Sequence, residues 1–397
     1  MHGTTLADRS FQRILLIKLS AIGDVIHTIP LLNALRRHYP AARIDWLSKP
    51  TPAEFIRDLP AVDEVLVYGE NQTEVPQYNW DGFTHFVRLI RDHKFLAMLS
   101  RLRAARYDLV IDMQGQMRSG FVSMVTGAPV RIGFDRPRKE VWEPEGRTLP
   151  PGAIERSWKG AREGSWLAYT HRVRLPTLAI HAIDRYLLVG DLLGFEREPP
   201  DFSIPIRAEA DRRVDALLRE HAGAMTKPPI VMMPGSLWET KRWRPEGFAA
   251  VARHFLAQGY PVLIDGAANQ AEECRRIAAA APGAVVLAGL TSLAELAALI
   301  RRSAIAVTND SGPLHLTTAL GRPVVALFGP TNPVWFGPYQ RPDAIVSAGV
   351  ACSPCNLRDL ARCPHDHACM RGITPERVIG AIEAQLALAE PSARSLD

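Results

Sequence analysis

Short apolar runs recur along the chain, each followed by a stretch in which apolar positions return with helical spacing. In the first half the runs are Ile14 to Leu19, Arg43 to Ser48, Glu64 to Tyr68, Leu109 to Gln114 and Arg131 to Phe134. The second half repeats the rhythm with "PIVMMPG", "PVLIDGA", "AVVLAG", "AIAVTND" and "PVVALFG". Strand-like runs alternating with helical segments predict βαβ units and a parallel sheet. Between the halves lies "EREPPDFSIPIRAEA", Glu196 to Ala210, whose Pro199, Pro200 and Pro205 predict an extended linker. The chain therefore reads as α/β, with two doubly wound parallel-sheet domains, residues 1–197 and 198–397, facing a cleft.

Length agrees with two domains. A chain of 397 residues with 47% hydrophobic content exceeds one ordinary core, and domains of roughly 200 residues each are the usual solution. The longest weakly polar stretch, Ala278 to Ile300, is broken by Pro282, Gly283, Gly289 and Glu295, so it predicts a helix end, a strand and a helix rather than a membrane span. At the N-terminus the apolar run is too short for a signal-peptide core and no small-residue cleavage site follows, which predicts a cytoplasmic protein.

A net charge of +5 and a pI near 9.0 point to anionic partners. Basic residues crowd the first half at Arg88, Arg91, His93, Lys94, Arg101, Arg103 and Arg106, then at Arg131, Arg136, Arg138 and Lys139; any one of them alone reads as part of a solvated face. Aromatic residues make up 7% of the chain and do not interleave with the basic ones, which argues against nucleic acid. The usual nucleotide signatures are missing as well. No G-x-G and no G-K-[ST] occurs, against hydride transfer and a Walker phosphate loop. No D-x-D pair is available to hold a divalent ion under a sugar nucleotide, so any bound diphosphate must be neutralised by the protein itself.

In open α/β sheets ligands sit beyond the carboxyl ends of the strands, and two segments there carry chemistry. In "KLSAIGDVIHTIP" a lone carboxylate, Asp24, stands at the mouth of an apolar helix, either capping it or doing chemistry in a cleft. In "VTNDSGPLHLTTALGRPVVALFGPTNP", Asp310 and Ser311 suit a cap, Pro313 the first turn, and Gly321 a stop ahead of Pro323. Such a helix start offers free N–H donors and roughly half a positive charge, which bind a diphosphate without a metal. His315 near that end reads equally as a donor or as core packing. A second cationic element, "PGSLWETKRWRPEGF", projects Lys241 and Arg242 from a loop, and Lys241 is the better candidate for a charge beside a leaving diphosphate.

Together, "KLSAIGDVIHTIPLLNALRRHYP", "YDLVIDMQGQMRSG", "PGSLWETKRWRPEGF" and "NDSGPLHLTTALGRPVVALFGPTNP" resemble, in that order, glycosyltransferase family 9, the bacterial heptosyltransferases of the lipopolysaccharide inner core. The resemblance covers nearly the whole chain and implies two Rossmann-like domains in the GT-B fold, an ADP-heptose donor, inversion, and no metal or other cofactor in the reaction. By motif it makes Asp24 the general base, Lys241 the phosphate-binding lysine, and Asp310, Ser311, Gly312 and His315 the nucleotide-sugar loop. The "IDMQGQMRSG" run is most like the branch that adds the first heptose to the Kdo sugar of lipid A, which implies peripheral contact with the cytoplasmic face of the inner membrane. Of the basic residues, Arg88, Arg91 and Lys94 are candidates to hold the acceptor, and Gln116 and Arg118, which follow the fourth strand, read equally as acceptor contacts or as structural residues. Where some members carry an acidic residue near the nucleotide ribose, Gln270 stands here, with Glu272 two residues on. The C-terminal helix from Thr374 is expected to cross back onto the first domain, as in the family. A protein-directed heptosyltransferase and a non-catalytic sugar-nucleotide sensor are the alternatives.

Four of the five cysteines fall in "CSPCNLRDLARCPHDHACM": Cys352, Cys355, Cys363 and Cys369. A cytoplasmic location disfavours disulfides, and C-x₂-C with two further soft ligands suits a structural zinc site, with reduced, unligated thiols as the alternative. Resemblance to the autotransporter heptosyltransferases, which carry an iron-binding cysteine finger, adds iron as a competitor. Cys274 lies in a predicted helix and reads as packing.

Overall fold

The computed structural model of the chain describes residues 6–69, 92–136, 138–140, 156–158, 161–196 and 198–393. It divides into two compact units, Met1–Ser203 and Ile204–Asp397, and the division falls inside the proline-rich segment expected to be the linker.

The first unit runs β1 (Arg13–Ile17), α1 (Ile22–His38), β2 (Arg43–Ser48), α2 (Pro50–Ile56), β3 (Glu64–Val67), α3 (His93–Ala104), β4 (Leu109–Asp112), α4 (Met117–Val125) and β5 (Val130–Phe134). An antiparallel pair follows, β6 (Arg138–Glu140) with β7 (Arg156–Trp158), and then β8 (His171–Val173), α5 (Ala182–Leu187) and α6 (Val189–Leu193). Six strands form a wholly parallel sheet in the order β3-β2-β1-β4-β5-β8. Because β1 carries a nearly unbroken apolar sequence, it is covered on both faces, and Ile14 to Ile17 are fully buried. Register sets Ile17 beside Leu47 of β2 and beside Asp112 of β4, so the loops leaving these three strands start side by side. Strand order reverses between β1 and β4, the point at which a doubly wound sheet opens a crevice for a ligand.

The second unit repeats this plan. It runs α7 (Ala208–His221), β9 (Ile230–Met233), α8 (Pro245–Ala257), β10 (Val262–Ile264), α9 (Ala271–Ala279), β11 (Val285–Val286), α10 (Leu293–Arg302), β12 (Ile305–Asn309) and α11 (Gly312–Ala319). It ends with β13 (Val324–Phe328), α12 (Pro333–Phe336), β14 (Ile345–Ser347), α13 (Ala368–Arg371) and α14 (Pro375–Ala393). The sheet is parallel in the order β11-β10-β9-β12-β13-β14, with its switch point between β9 and β12. The weakly polar stretch around Pro282 is helix end, strand and helix, as its breakers predict. Among the described residues no helix is long and apolar enough to cross a membrane.

Helix α14 packs on the second unit, where Val378 and Ile382, one helical turn apart, are fully buried in the cluster formed with Trp243, Phe255 and Leu327. Strands β8 and β14 were not expected, because three residues at a sheet edge are too few to show a period.

Beyond β10 the chain buries Asp265 at 1% exposure. Burial lifts its pKa to about 6, against hydrogen bonds from the Thr291 hydroxyl at 2.7 Å and the Gly266 N–H at 2.8 Å. An acid whose folded pKa lies above its unfolded value contributes full stability below the unfolded value and loses it as pH rises through the folded one. That loss amounts to ~3 kcal/mol at most. Asp265→Asn should therefore raise the melting temperature, relative to wild type, by more at pH 7.5 than at pH 4.5; thermal unfolding at the two pH values checks it, and equal differences would refute it.

Candidate active site

In the first unit the loop from β1 opens α1, and Asp24 sits at the third position of that helix. One of its oxygens accepts the Ala21 N–H at 3.1 Å, so the carboxylate does stabilise the helix start, and this cap uses only one oxygen. Two basic side chains that the sequence reading passed over sit within electrostatic reach of Asp24. Lys18, 5% exposed, donates to the Met113 carbonyl and the Tyr186 hydroxyl, both at 2.9 Å. Burial alone would lower its pKa, but Tyr186, Asp24 and Asp112 together hold it above the ordinary lysine value. Arg185 of α5 is also buried, and desolvation pulls it down to about 10 against the opposing pull of Tyr186, Asp24 and Asp184. Their one visible mark in the sequence is a basic residue at the end of an apolar strand or on the inner face of a helix, where such residues are rarely found.

The loop after β4 is pinned by Asp112. Fully buried, this carboxylate accepts the Gln114 N–H at 2.9 Å, the Gly115 N–H at 3.2 Å and the Tyr169 hydroxyl at 2.8 Å, while burial raises its pKa. Gln114 in turn accepts from Leu19 and Ser20, tying this loop to the one carrying Asp24. Of the residues expected to meet an acceptor, Gln116 and Arg118 are brought together: the Gln116 amide oxygen accepts from Arg118 Nε at 2.9 Å and Nη2 at 2.7 Å. Lys94 is exposed at the start of α3, and Arg88 and Arg91 lie outside the described residues. A further cation is Lys49, half-buried directly after β2, whose pKa is pushed down by burial and by the Arg118 guanidinium. Two mutually repelling cations, beyond the ends of β2 and β4 on either side of β1, form a place where an anion is favoured.

In the second unit the loops beyond β9, β12 and β13 converge on one ion pair. Lys241 Nζ lies 2.7 Å from Asp310, with the two side chains 15% and 3% exposed. Asp310 also accepts the Thr331 hydroxyl at 2.5 Å and faces His315 Nε2 at 3.9 Å. His315 is thus both buried and next to the site, which merges the two readings of it. Asn309 fastens the arrangement by donating to the Pro234 carbonyl at 2.5 Å and accepting the Trp243 N–H at 3.1 Å. Ser311 is the N-cap of α11, with its hydroxyl turned back to the Asn309 carbonyl at 3.2 Å. At this helix start Pro313 has no N–H and the Leu314 N–H donates to the Ser311 carbonyl at 3.1 Å, so the amides offered to an anion are those of Ser311 and Gly312. Asp310 is a counterion to Lys241 rather than an open ligand.

Gln270 is tucked against this loop. Its amide oxygen accepts the Ala267 N–H at 3.0 Å, and the side-chain amide lies where a Cβ at Gly235 would stand, 2.0 Å from it, so any larger residue at 235 would displace the Gln270 amide. Glu272 is exposed and paired with Arg275 at 2.9 Å. The partly buried carboxylate of α9 is Glu273, 3.9 Å from Arg242, with its pKa raised by desolvation.

The cysteine-bearing segment lies on the same unit. Burial pushes the Cys369 thiol up to about 12, with Cys355, Cys352 and Cys363 adding to the rise, so the four thiols are within electrostatic reach of one another. Yet among the described residues no group of three or more His, Cys, Asp or Glu side chains is arranged to hold a metal ion. As placed, the four cysteines do not fit a tetrahedral site. Cys274 is buried in the core cluster, as expected.

Comparison with known proteins agrees with this geometry. The profile "Glycosyltransferase family 9 (heptosyltransferase)" matches residues 95–145 and 151–362. Lipopolysaccharide heptosyltransferase 1 of Pseudomonas aeruginosa is 30% identical over 94% of this chain and 98% of its own length. The chain belongs to glycosyltransferase family 9, the heptosyltransferases. It is accordingly a glycosyltransferase. Solved structures share the fold: a family 9 glycosyl transferase of Veillonella parvula (TM-score 0.73, 24% identity, 98% of this chain and 99% of that one) and the E. coli ADP-heptose lps heptosyltransferase II (TM-score 0.67, 22% identity, 96% and 100%). The two Rossmann-like units are those of the GT-B fold. The profile match spans Lys241, Asp310 and His315 of this heptosyltransferase and begins after Asp24.

A buried ion pair that loses one partner leaves an uncompensated charge, which costs about 3–5 kcal/mol, whereas losing both partners costs much less. Chemical denaturation should show Lys241→Met alone destabilising the protein more than Lys241→Met combined with Asp310→Asn. Additive losses would mean that the pair is not coupled.

Proposed function

We propose that this heptosyltransferase moves heptose from ADP-heptose to a Kdo-type sugar of the lipid A inner core by a single inverting displacement, with no metal in the chemical step. The observation that carries it is the division of charge between the two switch points. In the first unit a helix-start carboxylate, Asp24, stands among fixed cations; in the second a lysine and the amides at Ser311 and Gly312 await an anion. The relatives support the donor and the acceptor pathway through their own names, an ADP-heptose heptosyltransferase and a lipopolysaccharide heptosyltransferase.

In the reaction the acceptor oxygen forms a bond to the anomeric carbon while the bond from that carbon to the diphosphate oxygen breaks. The hydroxyl proton passes to Asp24, and ADP departs with the bonding electrons onto Lys241 and the α11 amides. One displacement inverts the anomeric centre. The acceptor carries carboxylates and phosphates, which suit Lys49 and Arg118 as well as Lys94, Arg88 and Arg91. The enzyme works in the cytoplasm against the inner leaflet of the inner membrane, where the net charge of +5 favours an anionic surface. The four cysteines themselves take no part in the chemical step, and zinc or iron would brace their segment if the thiols closed around it.

Asp24→Asn retains an oxygen for the Ala21 N–H but removes the proton acceptor. It should lose about 10² to 10⁴ in turnover with ADP-heptose and Kdo-lipid A, followed by mass spectrometry of the product, while its melting temperature and ADP affinity stay near wild type. Normal turnover in this variant would reduce Asp24 to a cap. Wild-type protein that binds donor and forms no lipid product would favour the sensor or the protein-directed alternative.

A further inference from the structure

The segment that carries the cysteines is fastened to the loop that carries Lys241, and it brings a cation with it. The Thr240 hydroxyl donates to the Leu357 carbonyl at 2.7 Å, and a ring nitrogen of His367 meets the Thr240 carbonyl at 2.6 Å. On the side of β13, the Asn356 N–H donates to the Pro330 carbonyl at 2.7 Å and the Ser353 hydroxyl to the Gly329 carbonyl. Between these anchors stands Arg358, exposed, with its guanidinium carbon 4.4 Å from the centre of the Trp238 ring. Lys241 Nζ lies 4.4 Å from the centre of the same ring. Two cations therefore share one indole three residues before Lys241, a placement that stacking on the ring face favours.

A diphosphate calls for more charge than the Lys241 loop supplies by itself. Lys241 is matched by Asp310 at 2.7 Å, so the pair has no net charge. The α11 amides supply about half a positive charge, while a nucleoside diphosphate brings at least two negative ones. We propose that Arg358, delivered by the cysteine-bearing segment, is the second diphosphate-binding cation of the donor site, and that this segment serves to hold it there. The inference rests on the donor reading above and extends it to a residue that neither the motifs nor the family resemblance indicated. It also gives the cysteine segment a role in binding that needs no metal.

Calorimetric titration of the full-length protein with ADP and with adenosine tests it. In Arg358→Gln, ADP affinity should fall roughly tenfold to a hundredfold, the range for a lost charge-assisted hydrogen bond, while adenosine affinity is unchanged. Arg358→Lys should recover part of the ADP loss. Unchanged ADP affinity in Arg358→Gln overturns the inference and leaves the donor reading standing. Equal losses for ADP and adenosine also overturn it, because they would assign Arg358 to the shape of the loop. Failure of the wild type to bind ADP overturns the donor reading and the inference together.

Discussion

The second unit depends on a constraint set by burying Lys241 and Asp310 together. Removing both charges from water costs several kcal/mol for each ion, and only close contact with further hydrogen bonds offsets it. The protein meets that demand with the Thr331 hydroxyl on Asp310 and the nearby His315 ring, so the loops after β9, β12 and β13 are locked to one pair of atoms. Register supplies the rest: β9 and β12 are hydrogen-bonded neighbours, and Asn309 clamps the departing β9 loop from both sides. A neutral pair at the base of the site has a consequence for binding. It orients Lys241 without adding net attraction for an anion, so the attraction must come from backbone amides and from cations at the rim.

The first unit solves the mirror problem on the same topology. Its switch point holds a carboxylate, and the buried groups around it are the cations Lys18 and Arg185. Tyr186 links them chemically, since its hydroxyl accepts from Lys18 and its own pKa is raised by burial. Asp112, at the end of the neighbouring strand, keeps the β4 loop in place through two backbone amides and Tyr169. Two sheets of identical strand order thus carry different groups at their switch points, a carboxylate beside buried cations in the first and a neutral lysine–aspartate pair in the second.

Much of this was legible in the sequence for a physical reason. Parallel strands buried on both faces read as continuous apolar runs, so β1, β2, β4, β9, β12 and β13 announced themselves, and loops at their carboxyl ends named Asp24, Lys241 and Asp310. What stayed hidden depends on contacts distant along the chain. Lys18 meets Tyr186, 168 residues away, and Thr240 meets Leu357, 117 residues away; no local pattern encodes either. The cysteines were read for their own chemistry, whereas their segment is tied to the loops after β9 and β13 through backbone carbonyls, a histidine ring, an asparagine N–H and hydroxyl groups that carry no motif.

Places where local rules fail are the most informative ones in a folded chain, since each unfavourable choice must be offset elsewhere. An apolar strand that ends in a buried lysine, a helix with a buried arginine, and an aspartate held at 3% exposure all work against stability taken singly. They occur together at the carboxyl ends of the strands flanking the two switch points, where the sheet leaves backbone and side chains free to meet a ligand. Asp265 extends the pattern to the end of β10, with a carboxyl lifted to about 6 by burial. The surrounding cores, with Trp46 and Trp243 fully enclosed, carry the stability that these sites give up, and the division of labour follows from the fold: strands hold, and their ends react.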